Sequence, residues 1–462
     1  MQSAEHEPTS PVKKSLPAFD DNPNLRIAPW YLTDTLATTH EKKEANFMTY
    51  LERLDALQTY QGLHHTPPYS AYRNTNKFTF GYDYGALNMC SSDPALADHL
   101  RLGFIGGSYP CIPIVPCEKA VTINTTFKKI AMIVETIVRK SGLKAFKAPP
   151  RTHRKRKANL PRIKHQGVWK YLIVRHSTAE NSYMVCMVNF TRHLSVSEKE
   201  AYQATLEKIN NALQAVETIQ IIALQSYSDT LEPQPTDPIA IIFDRSKNKK
   251  GLLAEKLKGY NFLISPTSFF QVNTAAAGKL YTQIDLLAKN LVDHHKNGLK
   301  NVLLDMYCGT GSIGITLSKR FDQIIGIDQV PSSIANAKAN KALNYIENAT
   351  YLVGKCENSL SLIKAHLGDD PINLYILVNP SRDGLHKKVR KFIKTTPHLG
   401  LIYSSCNVQT WTRDAQDLIQ PSKNSSQIPI SAITLEKTFL IDLFPYTRHY
   451  EVLSYFSNNS SA

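Results

Sequence analysis

No two cysteines in this sequence are spaced as C-x-x-C, and the seven present (Cys90, Cys111, Cys117, Cys186, Cys308, Cys356 and Cys406) are odd in number. That pattern argues against a disulfide framework and a zinc ribbon, and it suits a reducing compartment. No apolar run approaches the roughly 18 residues of a membrane-spanning helix. The first residues carry Glu5, Glu7, Asp20 and Asp21 among prolines and serines. They lack the apolar stretch of a secretory signal and are too acidic for a good mitochondrial transit peptide. Cytosol or nucleus is therefore the expected compartment, with the mitochondrion left open. Acidic side chains are also in short supply: 39 Asp and Glu stand against 54 Lys and Arg, a net charge of +15. An anionic partner, nucleic acid above all, fits that balance.

The imbalance is local. From Arg139 to Lys170 there are twelve basic residues and no acid, with Arg151, Arg154, Lys155, Arg156 and Lys157 at the centre. Such runs are commonly solvated loops or localisation signals, so RNA contact by these five is one of two readings. Residues 1–29 read as a disordered tail. A chain of 462 residues with 42% apolar content has room for two to three domains. Helical spacing over 39–57 is followed by strand alternation over 72–81, which sets Tyr72, Asn74, Asn76, Phe78 and Phe80 on one face. Strands at 170–176 and 183–189 flank a hairpin turn; a helix over 196–218 and a strand at 220–225 follow. Together, 30–260 forms an α+β module interrupted by the basic loop 139–170. In 261–462 the pattern changes to strand–helix alternation. Strands fall at 302–305, 323–328, 375–378 and 401–404, and helices at 312–320, 331–343 and 387–395. The predicted class is α/β, with an open parallel sheet covered on both faces.

The strand ending at Asp305 runs into Tyr307-Cys308-Gly309-Thr310-Gly311-Ser312 and then a helix. This is the first β-turn-α of a nucleotide-binding sheet, in which Gly309 and Gly311 let the backbone turn tightly against a ligand. The next strand ends in Asp328, a carboxylate placed to accept ribose hydroxyls. The turn is not GxGxxG, which favours S-adenosylmethionine over NAD. Downstream stand Ser404-Ser405-Cys406-Asn407 and Phe444-Pro445-Tyr446-Thr447-Arg448-His449-Tyr450-Glu451. A thiolate, a general base and a methyl-donor turn are the parts needed to methylate carbon 5 of a uracil. That carbon is too weak a nucleophile until a thiolate adds to C6.

With Ile264-Ser265-Pro266-Thr267-Ser268-Phe269-Phe270-Gln271-Val272-Asn273 and Asn379-Pro380-Ser381-Arg382-Asp383-Gly384-Leu385-His386, these blocks resemble the tRNA (uracil-5-)-methyltransferase family, particularly its animal branch. The resemblance covers 260–456 and, more loosely, 69–200. It implies a Rossmann-like class I S-adenosylmethionine methyltransferase domain beside an RNA-binding middle domain that opens with Tyr72-Arg73-Asn74. It implies Cys406 as nucleophile and Glu451 as proton acceptor. Gln271, Tyr307, Ser312 and Asp328 would contact the cofactor, with Gly309, Gly311 and Asn379 beside them. Arg73, Lys77 and Arg382 would join the basic loop on RNA, and Arg382 would also favour the thiolate of Cys406. Asp442 and His449 stand as helpers, and Cys308 as a packing residue. No iron–sulfur cluster or other metal is expected, and the protein should act as a monomer.

One position departs from the family, whose Asp-Pro-Pro-Arg is here Asn379-Pro380-Ser381-Arg382. Asn keeps a carbonyl acceptor but loses the charge, and charge-assisted hydrogen bonds are about twice as strong as neutral ones. The expected reaction is 5-methyluridine formation in the tRNA T-loop, at position 54. A mitochondrial tRNA or small-subunit rRNA enzyme is one alternative. A tRNA-binding or tRNA-folding protein with weak or lost catalysis is the other.

Overall fold

The computed structural model describes residues 27–83, 94–106, 113–146, 167–192, 194–227, 233–234, 237–247, 250–420 and 433–458. Among these, the strands form two large sheets and one hairpin. β1 (Tyr60–His64) is followed by β2 (Thr75–Tyr82), β3 (Leu100–Ile105), β4 (Ile114–Pro116), β5 (Trp169–Ser177), β6 (Ser182–Phe190), β7 (Ile219–Tyr227) and β8 (Ile239–Asp244). β9 (Leu253–Leu257) and β10 (Tyr260–Ile264) make the hairpin. β11 (Lys300–Met306), β12 (Gln323–Asp328), β13 (Ala349–Val353), β14 (Ile372–Val378), β15 (Gly400–Ser405), β16 (Ile433–Ile441) and β17 (Glu451–Asn458) complete the chain.

The middle sheet runs β4-β3-β2-β5-β6-β7-β8. Strand β2 buries Asn76, Phe78 and Phe80 and leaves Lys77 exposed, as its alternation predicts. Phe78 is fully buried and packs beside Phe104, so it is a core residue. The helices Thr125–Arg139 and Val196–Gln214 cover one face of this sheet through Phe127, Ile130, Val134, Tyr202 and Leu213. The second helix starts on a full capping box between Ser195 and Glu198 and ends at Gln214, four residues short of the predicted 218.

The C-terminal sheet runs β1-β16-β17-β15-β14-β11-β12-β13. Its five strands from β15 to β13 are parallel, and β14 and β15 are nearly all buried, which explains their continuous apolar runs. The edge departs from the expected parallel sheet: β17 is antiparallel to both β15 and β16, and β1 is parallel to β16. Apolar clusters lie on both faces, one around the helix Thr274–His294, the other around Phe47, Trp411 and Phe392. The helix after the cofactor turn is short, Ser312–Thr316, against an expected 312–320.

Two boundaries are corrected. The helix Leu36–Glu52 and β1 belong to the C-terminal sheet, not to the middle module that was expected to begin at 30. Phe47 and Leu51 are fully buried there, with the Phe47 ring 5.5 Å from Trp411. The tail expected through 29 ends earlier, since Ala28 is fully buried and Ile27 packs against the middle core. The expected join at 260 falls on the β9–β10 hairpin, which holds both units: Leu253 packs with Met184 and Ile221, and Phe262 with the C-terminal cluster. Arg175 fastens the middle sheet to the C-terminal unit, its guanidinium donating to the carbonyls of Pro266, at 3.0 Å, and Ser268. No helix among the described residues is long and apolar enough to cross a membrane.

Candidate active site

Strand β11 delivers Asp305 to the carboxyl edge of the sheet, where the chain turns sharply. Tyr307 itself takes a left-handed φ of 65°, and Gly311 follows at 74°. A side chain at Gly311 would meet the Tyr351 ring at 2.8 Å, so glycine is required twice over, by backbone and by space. Asp328, ending β12, accepts from the backbone N–H of Gly309 at 3.1 Å and of Val330 at 2.8 Å. Burial raises the Asp328 pKa, while those N–H groups pull it back. Asp305 is fully buried. Its Oδ2 accepts from Gly314 N–H at 3.2 Å, but its Oδ1 finds no partner among the described residues, and burial pushes its carboxyl up to about 7.

These groups open onto a cavity of about 1560 Å³ whose wall includes Gln271, Tyr307, Gly309, Ser312, Asp328 and Asn379. Of the residues expected to hold S-adenosylmethionine, only Gly311 does not reach this wall; it is turned against Tyr351. Ser312 reaches it with a hydroxyl that shares a 2.6 Å hydrogen bond with Tyr281. The polar set fits a nucleoside carrying hydroxyls and a cationic chain: two carboxylates, one with an unpartnered oxygen, beside the Ser312 hydroxyl.

Cys406 and Glu451 line the same cavity. Their meeting follows from strand register. Ser404 pairs with Leu453 and Ser405 with Val452, so Cys406 and Glu451 stand at the next rung of the β15–β17 ladder. The Ser404 hydroxyl donates to Glu451 Oε1 at 3.0 Å. Glu451 is 3% exposed, and burial pushes its carboxyl up to about 7 against the pull of that hydroxyl. A carboxyl that titrates near neutrality is matched to proton transfer. Among the described cysteines, Cys117, Cys186, Cys308 and Cys356 are buried and Cys406 alone is partly exposed. Burial and the Glu451 charge raise the Cys406 pKa, and Arg382 lowers it by charge and hydrogen bonding. Arg382 thus acts in the expected direction, but burial outweighs it.

The loops that set these groups depend on residues that sequence reading missed. Buried Asp414 accepts from Leu385 N–H at 2.7 Å, Arg390 at 3.0 Å and the Tyr403 hydroxyl at 2.9 Å, so it anchors the loop after Arg382. Gly384, at φ 72°, lies so close that a Cβ would sit 2.5 Å from the Asp414 carboxylate. Asn407 and Thr410 donate to the Arg382 carbonyl at 2.9 and 3.2 Å, fixing Arg382 beside Cys406.

The segment from Phe444 to Glu451 is held from the other end of the chain. Asp442 accepts from Phe444 N–H at 3.0 Å and pairs with Lys43 Nζ at 2.6 Å, and Lys43 also donates to the Phe444 carbonyl at 3.1 Å. Both side chains are fully buried. Burial alone would raise the Asp442 pKa, but His40 and Lys43 hold it below the usual carboxylate value. Asp442 is therefore a brace and not a catalytic helper. His449 lines the cavity, kept neutral by burial and by Arg382 and Arg448 nearby. Replacing Lys43 by Met should cost roughly 3 to 5 kcal/mol, because it breaks a buried ion pair and leaves the carboxylate only His40 and the Phe444 N–H. The shift of the urea unfolding midpoint measures it, and a loss under about 1 kcal/mol would deny the pair that role.

Arg73 lies in the cavity wall, its Nε donating to the Thr75 carbonyl at 3.2 Å. Tyr72 lies beside it, and Asn74 Nδ2 donates to the Gln271 carbonyl at 2.8 Å, so the Tyr-Arg-Asn segment closes one side of the cofactor region. Lys77 is elsewhere, its ammonium 4.2 Å over the Tyr171 ring. Arg151, Arg154, Lys155, Arg156 and Lys157 lie outside the described residues.

The fold has a solved counterpart. The tRNA (uracil-54, C5)-methyltransferase of Pyrococcus abyssi, determined with S-adenosyl-L-homocysteine, superposes with a TM-score of 0.60 over 94% of this chain and 86% of that one, at 18% identity. Curated relatives include tRNA (uracil-5-)-methyltransferase homolog A of Homo sapiens, 28% identical over 404 residues, 86% of this chain and 57% of that one. Homolog B of Danio rerio is 30% identical over 294 residues, 63% of this chain and 58% of that one. A protein of Acanthamoeba polyphaga mimivirus named as an RNA methyltransferase is 40% identical over 202 residues, 43% of this chain and 48% of that one. This chain thus spans about half the length of these curated relatives. The model of the tRNA (Uracil-5-)-methyltransferase family matches residues 176–458, which takes in the cofactor turn, Cys406 and Glu451. The chain belongs to the tRNA (uracil-5-)-methyltransferase family.

Proposed function

We propose that this protein methylates carbon 5 of a uridine in RNA, namely the T-loop uridine at position 54 of tRNA, through a covalent adduct between Cys406 and carbon 6. The observation that carries this reading is the placing of Cys406, Glu451 and the Asp305–Asp328 turn on one cavity wall. A stacked uracil cannot reach two groups inside a cavity, so the base must be flipped, at a cost of a few kcal/mol. The net charge of +15 favours the phosphate contacts that offset it.

Once the base is in place, the Cys406 thiolate forms a bond to C6, and the electron pair of the C5–C6 bond becomes an enolate with nucleophilic character at C5. Asp305, Asp328, Gln271 and the turn would hold S-adenosylmethionine, which would supply an electrophilic methyl group to C5 as its sulfonium–methyl bond breaks and S-adenosylhomocysteine leaves. Glu451 then takes the proton from C5, the C5–C6 double bond re-forms, and the thiolate leaves. Arg382 stabilises the thiolate at both ends of the cycle. The expected pH dependence rises through neutrality, because both Cys406 and Glu451 act deprotonated and both are raised.

Asn379 is on the same wall and marks a second reading, RNA binding without turnover. If its role is hydrogen bonding, the lost charge costs about 1 to 2 kcal/mol, roughly a 5- to 30-fold slower step. Single-turnover methyl transfer to unmodified tRNA should then be detectable in the natural protein and faster in Asn379→Asp. No product from the natural chain under any condition would overturn the proposal and leave the binding reading.

A further inference from the structure

Cys406 stands where two cavities meet. Besides the large one, it lines a groove of about 610 Å³ on the C-terminal unit. One wall is the N-terminal helix, through Lys42, Asn46 and Tyr50. The other is the start of the helix Val408–Ile419, through Asn407 and Gln409. Arg382 and Arg448 border both cavities at the junction. Among the described residues lining the groove, none is acidic. Lys43 in its floor is already matched by Asp442, so the arginines at the junction supply its surplus positive charge.

Its chemistry is that of a single-stranded nucleic-acid path: cations at one point, an aromatic ring beyond, and amides that serve any base edge. The Tyr50 ring is half-buried, and the Arg53 guanidinium lies 5.0 Å from its centroid, a pairing that strengthens a stacking platform. Gln409 is exposed on the opposite wall. Because the reacting sulfur lines the groove, a nucleotide seated there adjoins the base bonded to that sulfur. We propose that this groove receives the nucleotide next to the methylated uridine, with its phosphate against Arg382 and Arg448 and its base on Tyr50. The N-terminal helix is thus a substrate-reading element as well as a brace. The inference rests on the uridine reading above.

Affinity for a T-arm RNA hairpin, measured by binding and not by turnover, tests it. Tyr50→Ala should weaken binding roughly tenfold, the size of one lost base stack, while Tyr50→Phe binds as the natural protein does. Hairpins made abasic at either neighbour of the target uridine add the second arm. One of them should bind the natural protein about tenfold less tightly yet bind Tyr50→Ala no worse than the intact hairpin, because the two changes remove the same contact. Thermal unfolding and S-adenosylmethionine binding of Tyr50→Ala should match the natural protein. Unchanged RNA affinity in Tyr50→Ala, or losses that simply multiply with both abasic hairpins, would overturn the groove assignment. A natural protein that binds RNA but transfers no methyl would overturn the proposed reaction and leave the groove result to stand by itself.

Discussion

Cys406→Ala should eliminate the denaturation-resistant complex that the natural protein is expected to form with tRNA containing 5-fluorouridine. Fluorine at C5 cannot leave as a proton, so the sulfur–C6 bond is trapped once methyl transfer has occurred, and the adduct survives a denaturing gel. The structure makes the alanine variant a clean test. Cys406 is partly exposed at a cavity wall, so its removal leaves no sealed void in the core. No other described thiol can substitute. Cys308 and Cys356 are buried, and burial first, with neighbouring carboxylates adding to it, raises both well above the ordinary thiol range. On normal uridine the loss should be at least on the order of 10⁴-fold, about 5.5 kcal/mol of transition-state stabilisation, because C5 is then not activated. Folding and cofactor binding should persist. A trapped complex from Cys406→Ala would mean that another group adds to C6 and that the register argument for β15 and β17 has picked the wrong rung.

Much of this site could be read from sequence because its parts are local. The turn from Asp305 to Ser312 declares itself by a strand, two glycines and a helix within a few residues, and Asp328 by ending the next strand. Cys406 and Glu451 are each the residue just beyond or at the start of a short apolar strand. What could not be read is how such segments come together. The β15–β17 antiparallel ladder that sets Cys406 against Glu451 joins strands separated by a helix and by β16, and nothing in either strand's pattern reports its partner. The amphipathic helix Leu36–Glu52 was visible as a helix, but its apolar face fits either unit. Its place is fixed by contacts distant in sequence, Phe47 against Trp411 and the buried pair of Lys43 with Asp442, 399 residues apart. Asp414 looks in sequence like a solvated acid of a surface helix. It is fully buried because four donors from three segments converge on it.

Glu451→Gln should separate the two halves of the reaction. The amide can still accept the Ser404 hydroxyl bond that the carboxylate accepts now at 3.0 Å, so the side chain should keep its place. It cannot take a proton. Thiolate addition and methylation can proceed, but the C5 proton stays, and covalent protein–RNA complex should accumulate on ordinary uridine substrate. Release of methylated RNA should fall by roughly 10² to 10⁴-fold, the usual contribution of a positioned base. The same substitution alters stability with a defined sign. The folded carboxyl holds its proton up to about pH 7, above the ordinary value for a free Glu, so the folded state binds protons more tightly than the unfolded one. Stability from this group is full below the unfolded pKa and is lost as pH rises through about 7, when a charge must sit in a nearly sealed position. Glu451→Gln removes that loss, so the variant should be at least as stable as the natural protein at pH 8 while being far slower. Unfolding midpoints at pH 6 and 8 measure the first part, and denaturing gels of single-turnover mixtures measure the second. Free, fully methylated RNA at the natural rate would show that another group takes the C5 proton. A natural protein whose stability does not fall between those pH values would show that Glu451 is already ionised in the fold.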